Sequence, residues 1–225
     1  KTSNGTSSSP PAAPKIKLGT AELNPDASDT VPLYMQHMTV ILVTLHLSVF
    51  ITGLVGNSLV CLSVYRNKSL QTVTNYYIVN LAVADFLVIL ICLPPTVYWD
   101  LTLTWNFGLV LCKMVLYLQS ISVSVSVLTL TCISIDRWYA ICRPLKFSSS
   151  KSRAKSTIGM IWLASMIIAS PDVIFLTTKP LYEEDDYVYM DCTYSWPESS
   201  TKIYQLCIVT LLFVFPFVLM SISYS

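Results

Sequence analysis

The chain has 225 residues, of which 53% are hydrophobic and only 12% charged, about half the charge of an ordinary soluble domain. Mean hydropathy is +0.59 and net charge +1. Together these indicate a protein of the lipid bilayer and argue against a nucleic-acid partner, which would require a strong basic field.

Residues 1–32 are rich in Ser, Thr, Pro and Ala and show no apolar periodicity. They cannot bury enough surface to offset the entropy of ordering, so a disordered tail is expected there. Asn4, Gly5 and Thr6 form a glycosylation acceptor, usable if the tail is extracellular. Asn67, Lys68 and Ser69 match the same pattern and should be inert in a cytoplasmic loop. No secretory signal precedes the tail, and the chain stops inside an apolar run, so the sequence reads as a fragment at both ends.

From residue 33 to 225 the sequence reads as one membrane domain with five apolar runs, at about 33–65, 75–99, 109–141, 157–176 and 203–224. Each is long enough to span a bilayer as a helix. His37 and His46 in the first run have no cysteine or acid at ligand spacing and are expected to pack or sit at the interface. Asp85 lies in the middle of the second run, where an acid costs about 2.5–3.5 kcal/mol on insertion scales and must therefore face polar partners inside the protein. Asn57 and Ser126 are the polar residues at similar depth.

The third run dominates. Within it Ile121 to Val127 alternates Ile/Val with Ser, a pattern that in isolation fits a barrel strand. The other four runs do not alternate, so a helix is expected, with the serines letting neighbouring helices approach closely. The path from Cys112 to Arg137 is then about 37 Å, enough to cross a hydrocarbon layer of about 30 Å. Gln119 and Arg137 are eighteen residues apart, about five turns, and so share one face about 27 Å apart. Asp136 and Arg137 stand where this helix leaves the membrane. A paired, releasable charge is expected there, more than a lone headgroup anchor.

The loops carry an orientation. Arg66 and Lys68 follow the first run, and Arg143, Lys146, Lys151, Arg153 and Lys155 follow the third, with no acid in either loop. Between runs four and five lie Glu183, Glu184, Asp185, Asp186, Asp191 and Glu198. By the positive-inside rule the basic loops are cytoplasmic, and the amino terminus and acidic loop are outside. Cys112 and Cys192 both fall on that oxidising side. A disulfide between them would tie the acidic loop across the third helix, the alternative being two free thiols. Tyr187 to Tyr194 alternates polar and bulky residues, as a short β-hairpin would. Pro94, Pro95, Pro171 and Pro216 should kink their helices. There is no phosphate-binding glycine loop, metal cluster or activated nucleophile, so neither an enzyme nor a tightly bound cofactor is expected.

These motifs, taken in order, resemble the rhodopsin-like (class A) G-protein-coupled receptors. The resemblance rests on Gly56 and Asn57; Asn80, Leu81, Ala82, Ala84 and Asp85; Trp105, Phe107 and Gly108; Cys112 with Cys192; Asp136, Arg137 and Pro144; Trp162; Pro216 and Tyr224. Within the class, Thr72 to Asn80, Cys92 to Pro95 with Asp100, Ser122 to Leu130 and Asp136 to Cys142 are similar to orexin receptors and invertebrate allatotropin receptors.

The resemblance implies an all-α fold, the first five helices of a seven-helix bundle, with the hairpin in the second extracellular loop and a multi-pass site in the plasma membrane. It implies a polar core of Asn57, Asp85 and Ser126 that can hold a sodium ion as modulator. Arg137 would be held by Asp136 at rest and meet a heterotrimeric G protein when active, with Trp138, Pro144, Leu145 and Tyr224 at the same surface. Gln119 stands where amine receptors carry an acid, which favours a neuropeptide agonist bound by Thr96, Asp100, Leu116, Gln119, Ser120, Tyr204 and Gln205. The alternatives are a non-signalling truncated partner of such a receptor and a transporter or channel. Residues 1–225 expressed alone should give no agonist response.

Overall fold

A computed structural model describes residues 33–142, 150–184 and 187–224. The expected tail over 1–32, including Asn4, lies outside the described residues. Residues up to Met38 separate from one compact unit, Thr39–Ser225, and packing is described within that unit.

Five helical stretches are long and apolar enough to cross a membrane: His37–Arg66, Val73–Thr102, Gly108–Cys142, Lys151–Phe175 and Glu198–Ile222. The first belongs to α1 (Leu33–Arg66). The second is composite: α2 (Val73–Leu87) passes through a π-helical turn, Val88–Cys92, into α3 (Leu93–Thr102). The cause is local. Pro94 and Pro95 supply no backbone donor to the preceding turn, and the wider turn absorbs their rings. Pro216 does the same in the fifth span, where α7 (Glu198–Val209) meets a π turn, Thr210–Val214, before α8 (Phe215–Tyr224). In the fourth span Pro171 opens a short α6 (Ser170–Phe175) after α5 (Lys151–Ile168).

The third span is a single helix, α4 (Gly108–Cys142). The Ile/Val–Ser alternation is therefore helical, and its serines pack: Ser122 and Ser124 are buried, as are Thr129, Thr131 and Ser134. Three of these hydroxyls bond back to their own helix, Ser124 to the Ser120 carbonyl at 2.7 Å, Thr131 to Val127 at 2.8 Å and Ser134 to Leu130 at 3.0 Å. A small polar face of this kind suits helix association in lipid, where apolar burial supplies no drive of its own. Around α4 pack α2, α5, α6, α8 and the hairpin. α1 touches the rest through fewer contacts. Gly53 lets it lie close to Ile89 of the π turn, whose Cδ1 would stand 2.5 Å from an added Cβ.

Three of the sequence-based helix assignments shifted, the second span running over Val73–Thr102 and the fourth and fifth starting earlier than expected. The fourth span begins at Lys151, because Ala154 is buried against its neighbours while Lys151, Arg153 and Lys155 lower the local hydropathy without ending the helix. The fifth begins at Glu198, where Lys202 reaches Glu198 one turn away at 2.7 Å.

The hairpin joins β1 (Leu176–Glu184) to β2 (Tyr187–Tyr194) in antiparallel register, Leu176 opposite Tyr194, with an irregularity between Pro180 and Tyr182. It lies over the Cys112 end of α4. The turn between α3 and α4 holds it from the other side: Trp105 N–H donates to the Met190 carbonyl at 2.7 Å, and Met190 N–H donates to the Thr104 hydroxyl at 3.0 Å. Trp105 is 2% exposed and packs edge-on to Trp99 and Phe107. Its indole N–H donates to the carbonyl of Gly108 at 2.8 Å, a glycine whose φ of 74° few other residues adopt.

Candidate functional site

At the hairpin end, Cys112 and Cys192 form the disulfide, with Cα atoms 5.7 Å apart. They sit in one apolar cluster with Cys92, Trp105, Val115 and Leu176, against which Leu116 packs. Beside it the Lys113 ammonium donates to the Val173 carbonyl at 2.7 Å, closing the helix end and tying α4 to α6.

The seven residues expected to bind a ligand lie on three spans, Thr96 and Asp100 on α3, Leu116, Gln119 and Ser120 on α4, and Tyr204 and Gln205 on α7. Leu116 joins the disulfide cluster, and Tyr204 donates to Asp172 at 3.2 Å. Gln119 carries a buried Oε1 with no hydrogen-bond partner among the described residues. Thr96 spends its hydroxyl on the Cys92 carbonyl at 2.8 Å. Asp100 faces α1, with His46 Nε2 3.9 Å from its Oδ2, and the other ring nitrogen of His46 bonds the Leu42 carbonyl at 2.8 Å. Ser120 is half-buried and Gln205 exposed.

Asp172 does not figure among the expected residues. It is 1% exposed and accepts the Tyr194 hydroxyl at 2.7 Å as well as that of Tyr204. Burial first, then the hydrogen bond to Asp172 and its negative charge, push the Tyr194 phenol well above its ordinary pKa, so it remains a donor. The signal was available, since an acid inside an apolar run raises at Asp172 the same question as at Asp85.

At mid-depth Asp85 is half-buried with Asn57 beside its carboxylate, while Asn57 Nδ2 donates to the Gly53 carbonyl at 2.9 Å. Ser126 is half-buried on α4. A second polar junction joins three spans. Asn80 Nδ2 donates to the Thr129 hydroxyl at 2.9 Å, and the Trp162 indole N–H donates to Asn80 Oδ1 at 2.8 Å.

At the far end of α4, Arg137 is exposed and donates through Nη2 to the Thr74 hydroxyl at 2.8 Å. It does not pair with Asp136, as the resting state inferred from the sequence would require. Successive residues on a helix point in different directions, so Asp136 instead turns towards Tyr77 and towards Arg153, whose field on it exceeds that of Arg137. Tyr77, 3% exposed, also has the Thr157 side chain beside its phenol. Trp138 packs edge-on to Tyr139 at 5.0 Å. Pro144 and Leu145 lie outside the described residues, and Tyr224 closes α8.

A helix of this length thus carries a disulfide-held hairpin at one end and, at the other, the adjacent Asp136 and Arg137 with separate partners, and is crossed midway by Asn80 and Trp162. The sequence pattern of the seven-transmembrane receptors of the rhodopsin family matches residues 56–225. The chain belongs to that family. Among similar proteins, neuropeptide Y receptor type 2 of Sus scrofa is 37% identical over 223 residues, covering 96% of this chain and 58% of its own length. The neuropeptide Y receptor type 2 of Cavia porcellus is 37% identical over 220 residues, 95% of this chain and again 58% of its own. The chain therefore spans just over half the length of these relatives. Membership of a rhodopsin-like receptor family makes it a multi-pass membrane protein, and it agrees with the expectation that the chain is not an enzyme.

Proposed function

We propose that this chain is part of a plasma-membrane receptor that binds a neuropeptide on its hairpin side and activates a heterotrimeric G protein on its Arg137 side. The observation that carries this reading is the acidic hairpin bonded through Cys112–Cys192 over the end of α4, with an uncharged Gln119 two turns below. A small amine would find no counter-ion at Gln119, whereas a peptide can meet the hairpin and the helix together. The likeness to receptors named for neuropeptide Y and the motif resemblance to orexin and allatotropin receptors agree on a peptide and differ on which. Screening the full-length receptor against neuropeptides of these classes tests the reading, and activation by biogenic amines with no peptide active would sink it.

The amino terminus and hairpin face outwards in this reading, so the hairpin acids act on a peptide before it docks. Changing Glu183, Glu184, Asp185 and Asp186 to their amides should slow association of a basic peptide about tenfold at low ionic strength. The difference should shrink at physiological salt, where the screening length is about 8 Å. Stopped-flow or surface-plasmon association rates at two salt concentrations measure it.

On the opposite side, Arg137→Ala should leave peptide affinity within about threefold and remove most nucleotide exchange on the G protein, assayed with a non-hydrolysable GTP analogue. Asp85 and Ser126 supply the hard oxygen donors a sodium ion takes, with Asn57 steadying the carboxylate. Bound there, the ion would supply a positive charge to the Asp85 carboxylate and favour one arrangement of the bundle over another.

A further inference from the structure

Asp172 has no task in the receptor reading above, yet two other elements converge on one of its oxygens. Tyr194 is the last residue of β2, Tyr204 lies in the second turn of α7, and both hydroxyls donate to Oδ1, at 2.7 Å and 3.2 Å. The other oxygen, Oδ2, is buried with no partner among the described residues. The two phenols therefore carry the side chain's hydrogen bonding, and removing the carboxylate would strand both of them in a buried site.

The rings around it are packed as a clasp. Trp196 stacks on Phe175 at 4.3 Å and 27° and on Tyr194 at 5.2 Å and 19°, with Tyr204 tilted against it at 5.4 Å. A cage for an organic cation needs an open aromatic face. Here the Trp196 faces are taken by other rings. The backbone agrees, since Ser195 N–H donates to the Phe175 carbonyl at 2.8 Å, drawing the short link between β2 and α7 onto the end of α6.

We propose that Asp172 is a positioning residue: its carboxylate fastens the end of the hairpin and the outer turns of α7 to α6, and so fixes where Tyr204 stands. That this matters for a peptide rests on the receptor reading. The fastening itself does not, and it has its own measurement. Cys112 is fully buried and Cys192 is 4% exposed, so a reductant reaches their disulfide only when the hairpin lifts.

The test uses the full-length receptor on intact cells. Free thiols are blocked with N-ethylmaleimide, a membrane-impermeant phosphine reductant is added, and newly exposed thiols are followed by the mobility shift from a polyethylene-glycol maleimide. Asp172→Ala should speed reduction about tenfold. Asp172→Asn, which keeps an acceptor oxygen for the two phenols, should stay within about threefold of wild type. Tyr194→Phe and Tyr204→Phe should each speed reduction and add nothing in the Asp172→Ala background. A wild-type rate in Asp172→Ala, equal acceleration by the Ala and Asn variants, or full additivity with the tyrosine changes would overturn the proposal. If Asp172→Ala does not reach the surface, the two tyrosine variants decide it, and wild-type rates in both count against it.

Discussion

Serine at Cys112 or Cys192 is expected to cost most of the peptide binding of the full-length receptor, with the two single variants and the double variant indistinguishable. The bond closes 80 residues of sequence, and a random-chain treatment of that loop would give about 4.5 kcal/mol. That figure is too large here. If the third and fourth spans stay inserted when the hairpin opens, the freed segment is only the stretch from Leu176 to Cys192, and a loop of about 15 residues corresponds to about 3 kcal/mol. Such a loss shifts the open population by about two orders of magnitude. It is opposed by the contacts that remain, namely the Trp105–Met190 and Met190–Thr104 hydrogen bonds, Ser195 to Phe175, and the Asp172 clasp. A fall of at least tenfold in saturation binding is therefore expected, normalised to surface protein. Equality of the three variants is the sharper criterion, because a bond is lost whole whichever partner is removed. If Cys112→Ser bound normally while Cys192→Ser did not, the defect would belong to Cys192 itself and not to the bond.

What the sequence disclosed was set by what periodicity and charge can carry. Five long apolar spans and a bond between Cys112 and Cys192 are legible from hydropathy and the sign of neighbouring loops, and both appear in the fold. The alternation at Ile121 to Val127 was legible only through its context. Read alone it is a strand, and it is helical because buried serines pack α4 against its neighbours.

Side-chain direction was not legible. Asp136 and Arg137 are adjacent in sequence and share a helix end, which invites a pair, but adjacent helical positions diverge, and Thr74 and Tyr77 from another span decide where each goes. Asp172 was passed over for a related reason. It follows Pro171 close to the end of an apolar run, and its partners Tyr194 and Tyr204 lie 22 and 32 residues away. Asp85 drew attention because it sits mid-run, yet of the two its surroundings are the less buried. Depth within a run is a poor guide to how thoroughly an acid is enclosed.

Replacing Asn80 by Ala is expected to be the most damaging single change in the middle of the domain. Asn80 is 6% exposed and bonds both Thr129 on α4 and Trp162 on α5. Alanine removes an acceptor from the indole and a donor from the hydroxyl. Thr129, fully buried, loses only a donor to its hydroxyl oxygen and keeps its own O–H free to donate, so its loss is the smaller. The Trp162 N–H loses its acceptor, and an indole cannot bend back to its own helix backbone to replace it. In lipid such bonds average about 0.6 kcal/mol and reach about 1.7, and a stranded donor adds a desolvation cost of about 1–3 kcal/mol. A total near 2–3 kcal/mol is expected, which for a chain of this size lowers the thermal midpoint by roughly 4–12 °C in detergent or nanodiscs. Trp162→Phe should cost less, since it leaves the Asn80 oxygen unpaired but keeps the donation to Thr129. In the double variant the two losses should overlap, because both delete the same bond. Full additivity would mean that the Asn80–Trp162 bond contributes nothing, and that the damage in Asn80→Ala comes from the cavity and from Thr129.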